Sequence, residues 1–99
     1  MSTNIERLGM AWYHREDYKK LLKIFTDSHL LPNTYDKWHR FAEEGVDRLS
    51  SDGFTVEKVY IEPKTFPAWC RANGLDIDAK ARLAFTDDVV GRKYPCIYR

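Results

Sequence analysis

The chain has 99 residues, a length that serves one hydrophobic core and leaves two halves too small to stand alone. With 43% hydrophobic residues, including three Trp, six Tyr and five Phe, against 31% charged residues, it holds enough apolar material to bury a core, which excludes a chain disordered by composition. Sixteen Lys and Arg against 15 Asp and Glu leave a formal charge of +1, which excludes the strongly basic footprint of a general nucleic-acid binder.

The first residues are polar and carry Glu6 and Arg7, without the apolar run of about 7 to 15 residues that a secretory signal needs or the roughly 18 apolar residues of a membrane span. The expectation is a cytoplasmic protein with reduced thiols, since Cys70 and Cys96 stand in unlike settings and give no disulfide framework. Residues 1–9 lack periodicity and read as a flexible N-terminal arm, residues 10–91 as a single globular domain and residues 92–99 as a basic C-terminal tail.

In chain order, Tyr18, Leu21, Leu22 and Phe25 fall at i, i+3, i+4 and i+7 and predict an amphipathic helix from Arg15 to about Thr26, with Glu16 and Asp17 in its first turn. Pro32 then ends the connection. Thr34 suits the N-cap of a second helix whose apolar stripe is Tyr35, Trp38, Phe41, Ala42, Gly45, Val46 and Leu49. On its polar face Asp36 is spaced to pair with Arg40. Gly45 on the stripe implies close approach of another backbone, and Gly53 is the expected stop. Phe54 to Glu62 is β-branched and aromatic and reads as a strand with apolar residues on both faces, hence covered on both. Phe66, Trp69 and Cys70 place a third helix over Pro63 to Ala72. Asp76 is the expected cap of a fourth, which buries Ile77, Ala81, Ala84 and Phe85 and ends near Gly91.

The fold expected is therefore α+β, a single small domain in the order α-α-β-α-α, mostly helical with one or two strands. Its core is Leu21, Leu22, Phe25, Trp38, Phe41, Leu49, Phe66, Trp69 and Phe85. One strand cannot satisfy its own backbone. Its partner is Met10 to Tyr13, Pro95 to Tyr98, or the same strand of a second copy.

No constellation announces a reaction. His14, His29, His39, Cys70 and Cys96 are not spaced for a metal site, and the five glycines are too dispersed for a phosphate loop, so neither metal nor cofactor is expected. Cys70 beside Trp69 reads as a core thiol. Adjacent carboxylates such as Asp87 and Asp88 diverge around a helix and share no site. What remains is the cluster Trp12, Tyr13, His14, Arg15 and Tyr18, with Lys19 next to it, amphipathic rings and a guanidinium of the kind that anchors interfaces. The competing reading packs Trp12 and Tyr18 into the core.

Read together, Tyr13-x-Arg15-x-Asp17-Tyr18, Leu31-Pro32-x-Thr34-x-x-x-Trp38, Phe66-x-x-Trp69-Cys70-x-x-x-Gly74-Leu75 and Ala81-Arg82-x-x-Phe85 resemble a group of small uncharacterised bacterial proteins of about this length. The resemblance spans roughly Met10 to Phe85, implies a bacterial cytoplasmic protein, and brings no activity with it. The functional expectation is a non-enzymatic interaction module that binds a protein partner or a second copy through Trp12, Tyr13, Arg15 and Tyr18. The alternatives are a nucleic-acid-binding accessory protein using Lys19, Lys20, Lys23 and the tail's Arg92, Lys93 and Arg99, and a small enzyme of unknown class.

Overall fold

The structure, a computed structural model, describes residues 7–93. Strand β1 (Arg7–Trp12) comes first, followed by a 3-10 turn (Arg15–Asp17), helix α1 (Tyr18–Ile24), a second 3-10 turn (Ser28–Leu30) and helix α2 (Tyr35–Ser51). Strand β2 (Thr55–Tyr60), helix α3 (Phe66–Ala72) and helix α4 (Ala79–Lys93) complete the chain. The α+β class holds, but the expected order does not, because a strand precedes the first helix. Its first three residues, Arg7, Leu8 and Gly9, fall inside the stretch read as an arm; residues 1–6 lie outside the described residues. At the other end Arg92 and Lys93 belong to the last turn of α4 rather than to a tail.

β1 pairs with β2 in parallel, in register from Arg7 opposite Thr55 to Trp12 opposite Tyr60. Parallel strands need a long crossover, which α1 and α2 supply. Among the described residues the strand pairs with the N-terminal segment, over Arg7–Trp12 where Met10 to Tyr13 is the expectation; Pro95 to Tyr98 lies outside the described residues.

A strand sends successive side chains to opposite faces, and the contacts of this sheet follow that rule. Met10 meets Gly45 of α2 and Lys58 pairs with Glu43 of α2, whereas Gly9 lies against Thr86 and Val90 of α4 and Glu57 pairs with Lys93 of α4. One helix covers each face, as expected for a strand apolar on both. The close approach inferred for Gly45 is to the flexible methyl tip of Met10, 3.2 Å from where a Cβ would stand. It is Gly9 that admits a backbone, since its Cβ would stand 2.8 Å from the Thr86 carbonyl oxygen.

Local chemistry explains the helix ends. Thr34 caps α2, its hydroxyl accepting from the Lys37 N–H at 3.3 Å. The cap of α4 is Asp78, not Asp76: the Asp78 carboxylate accepts from the Ala81 N–H at 3.1 Å. The Asp76 carbonyl accepts the Asp78 N–H, and that turn ends before the helix begins. Gly53 and Gly74, at φ of 98° and 66°, stop α2 and α3 in the left-handed conformation that glycine tolerates best.

The core is more aromatic than the helical stripes alone imply. Trp12, Tyr13, Tyr18, Leu21, Phe25, Trp38, Ile61, Phe66 and Cys70 are buried, while Leu22, Trp69 and Phe85 pack against them from half-buried positions. Phe41 is a correction: it is 61% exposed. It lies on the flank of the line Trp38, Ala42 and Gly45 that α2 turns to the sheet, beyond the width the sheet covers. Among the described residues no helix is long and apolar enough to cross a membrane.

Candidate interaction surface at the carboxyl ends of the strands

The direction of α2 determines where its first turn sits. Met10 packs at Gly45, and two residues later Trp12 packs against Trp38 and His39, with ring centroids 5.1 and 5.8 Å apart. As β1 advances, α2 retreats, so the helix runs antiparallel to the strands and its N-terminus lies beside their carboxyl ends. In open α/β sheets that end of the strands is where binding crevices form.

The surface there is built from rings and cations. Arg15 donates from one guanidinium nitrogen to Asp36 at 2.8 Å and lies 4.6 Å from the centroid of the Tyr35 ring. This replaces the pairing of Asp36 with Arg40 read from helical spacing. Tyr35 stacks on His39, one helical turn on, at 5.5 Å and 20°, and His39 Nε2 is 3.2 Å from Glu43. Beside this row His14 stacks on Tyr60, the last residue of β2, at 4.1 Å and 10°. Lys58 lies 4.3 Å from the centre of the Trp12 ring. A recess of about 410 Å³ opens between Arg15, Lys19, Thr34 and Tyr35. Burial pushes the Tyr35 hydroxyl above its ordinary pKa, against the pull of the Arg15 charge.

Of the four residues expected to contact a partner, only Arg15 faces solvent, with 65% of its side chain exposed. Trp12, Tyr13 and Tyr18 are the floor beneath it and offer no surface, at 3%, 3% and 1% exposure. Tyr13 stacks obliquely on Trp38 at 4.6 Å, and the Tyr18 hydroxyl donates to the Pro32 carbonyl. Adjacency to Arg15 along the chain suggested a shared surface, but β1 ends between two covering layers, so both faces of the chain are enclosed there. Tyr60 is exposed in this region, and Tyr35, His39 and His14 are half-buried, each presenting part of its ring. Tyr35 sits on the apolar stripe of α2 and packs against the core, and His39 stands between charged neighbours on the polar face, so neither stands out in the sequence as part of a surface. Their i, i+4 spacing, which brings side chains together on a helix, was the available signal.

The other chemistry-bearing residues are apart from this surface. Cys70 is enclosed at 1% exposure, and burial raises its thiol pKa, with Asp78 adding to the effect. Among the described residues no group of three or more His, Cys, Asp or Glu side chains is placed to hold a metal ion. Lys19, Lys20 and Lys23 are exposed along α1, whereas Arg92 pairs with Asp88 and Lys93 with Glu57. Comparison with protein-family models, curated proteins and solved structures finds no match to this chain.

Proposed function

We propose that the protein is a non-enzymatic interaction module that binds a protein partner or a second copy of itself through the surface at the carboxyl ends of its strands. The observation that carries this reading is the row Arg15, Tyr35 and His39, continued by His14 and Tyr60. Each ring or guanidinium is held by its neighbour, so little side-chain entropy is lost when a partner covers it. Tyrosine and arginine are the residue types enriched at interface hot spots, and they act best in such preorganised clusters. The Arg15 to Asp36 pair lies in solvent and stabilises the fold little, which leaves the guanidinium available to a partner.

Nucleic-acid binding is the second reading, and the exposed Lys19, Lys20 and Lys23 of α1 are what favours it. The even charge balance and the carboxylates already paired with Arg92 and Lys93 weigh against it.

A photo-crosslinking residue placed at Tyr35 in the full chain, expressed in its own cell, tests the proposal. Discrete protein adducts are expected, lost on Arg15→Ala and absent when the crosslinker stands at the exposed Asp47. Adducts no different from those at Asp47, or adducts mainly with nucleic acid, overturn it.

A further inference from the structure

Helix α3 ends on a dipeptide with a chemistry of its own. Asn73 and Gly74 are both exposed, and no atom lies within 4 Å of where a Cβ on Gly74 would stand, so no side chain hinders approach to the Gly74 nitrogen. Asn33, the other asparagine among the described residues, is followed by Thr34, whose branched Cβ crowds the same position. The Asn73 side chain is part of the helix stop: its amide nitrogen donates to the Trp69 carbonyl at 2.8 Å, to which the Asn73 N–H also donates at 3.1 Å. Trp69 in turn is half-buried, stacks on Phe66, and with Phe85 and Val89 lines an apolar groove of about 380 Å³.

We propose that Asn73 is a site of spontaneous modification, at which water converts its amide to aspartate and isoaspartate and so removes the stop from α3. The Gly74 backbone nitrogen attacks Asn73 Cγ and gives up its proton. The new C–N bond closes a five-membered succinimide, and the side-chain nitrogen takes up a proton and leaves as ammonia. Water then opens the ring at either carbonyl, giving aspartate, or isoaspartate in which the main chain runs through the side-chain carbon. No oxidant or reactant other than water is needed.

In the folded chain the ψ of Asn73 is 9°, which turns the Gly74 nitrogen away from the Asn73 side chain, and the Gly74 N–H is held by the Arg71 carbonyl at 3.2 Å. Ring closure therefore waits on an opening of the helix end. That opening is local: residues 71–74 are all exposed, so it breaks a few solvent-facing hydrogen bonds and uncovers no core, and Gly74 accepts new backbone angles at little cost. After conversion the carboxylate is an acceptor only. It cannot donate to the Trp69 carbonyl, and it adds negative charge at the end of the helix that already carries the negative dipole. The last turn of α3 loosens at Trp69. This site is independent of the Arg15 surface.

Peptide mapping by mass spectrometry of the full chain, held folded in warm, mildly alkaline buffer, tests the chemistry. Asn73 is expected to be converted to both products while Asn33 keeps its amide, and denaturant is expected to speed conversion at Asn73 severalfold. An Asn73 amide that survives in the folded chain, or equal conversion of Asn33 there, overturns the proposal. A rate that denaturant leaves unchanged also overturns it, since no opening would then gate the reaction. Asn73→Asp stands for one product and tests the consequence by hydrogen exchange. Severalfold faster exchange in the last turn of α3 is expected, with α2 unchanged; exchange in α3 equal to wild type overturns the link to the helix stop.

Discussion

Arg82 of α4 and Asp27, 55 residues apart in the chain, form a two-pronged pair in which both guanidinium nitrogens donate to the carboxylate, at 2.9 and 2.8 Å. The side chains are 9% and 15% exposed, and the guanidinium also lies 4.4 Å from the centre of the Phe25 ring. The pair ties α4 to the connection between α1 and α2. Removing one partner strands a buried charge, so Arg82→Ala is expected to cost about 3 to 5 kcal/mol, whereas a matched apolar replacement of both residues costs far less. A double-mutant cycle by chemical denaturation measures this. Equal costs for the single and double replacements contradict it.

The same pair sets the acid limb of stability. The hydrogen bonds from Arg82 hold the Asp27 carboxyl below its ordinary range, against the opposing effect of burial. A carboxylate depressed by folding contributes stability above its unfolded pKa, about 3.9, and loses it as pH falls through the lower folded value. Stability is therefore expected to drop below about pH 4, and Asp27→Asn, though less stable at neutral pH, is expected to lose this part of the acid dependence. Denaturation midpoints measured across that range decide.

At the alkaline end the sign reverses. Burial raises the Tyr13 pKa to about 12, so its contribution is complete below the unfolded value near 10 and is lost as pH rises through the folded one. Tyr13→Phe is expected to blunt alkaline unfolding without abolishing it, because burial shifts Tyr18 and Tyr35 in the same direction. An unchanged alkaline midpoint counts against this assignment.

Gly9→Ala places a methyl 2.8 Å from the Thr86 oxygen and 2.9 Å from its Cβ. Neither is the far end of a flexible side chain, so the helix must move off the strand, at an expected cost of about 1 to 3 kcal/mol. Gly91→Ala meets nothing within 4 Å and is expected to stabilise α4 by up to about 1 kcal/mol. Thermal melts that fail to move in opposite directions contradict the packing described for β1.

The elements legible in the chain were those whose signal is local. Thr34 and the stripe from Tyr35 to Leu49 marked α2, β-branched residues between Gly53 and Glu62 marked β2, and Phe66, Trp69 and Cys70 marked α3. β1 escaped because its α4-facing positions are Arg7, Gly9 and Ala11, small or polar residues that dilute the alternation of Leu8, Met10 and Trp12. Its parallel pairing depends on contacts about 48 residues apart along the chain, which no local pattern reports. At the candidate surface Arg15 was legible as an exposed anchor. His14 was legible as a neighbour of Arg15, but its stacking on Tyr60 was not, because the two meet only once the strands are side by side.

The burial of Trp38 and of Trp69 also separates two residues that occupy similar stripes. Trp38 is 7% exposed and touches Trp12, Tyr13, Tyr18 and Tyr35, so Trp38→Ala is expected to cost about 3 to 5 kcal/mol. Trp69, half-buried at the groove, is expected to cost clearly less. Denaturation of the two variants that gives the reverse ranking contradicts the core described.

By the proposed function, the protein is bound at the Arg15 and Tyr35 surface. The measurement that tests it most directly is the affinity of the purified chain for the protein crosslinked at Tyr35, or for itself, compared between wild type, Arg15→Ala and Tyr35→Ala. A hot-spot loss of at least about 30-fold is expected for one of them, with an unchanged fold and a weak dependence on salt. Unchanged affinity in both folded variants, or binding that collapses steeply with salt and goes equally to nucleic acid, contradicts it.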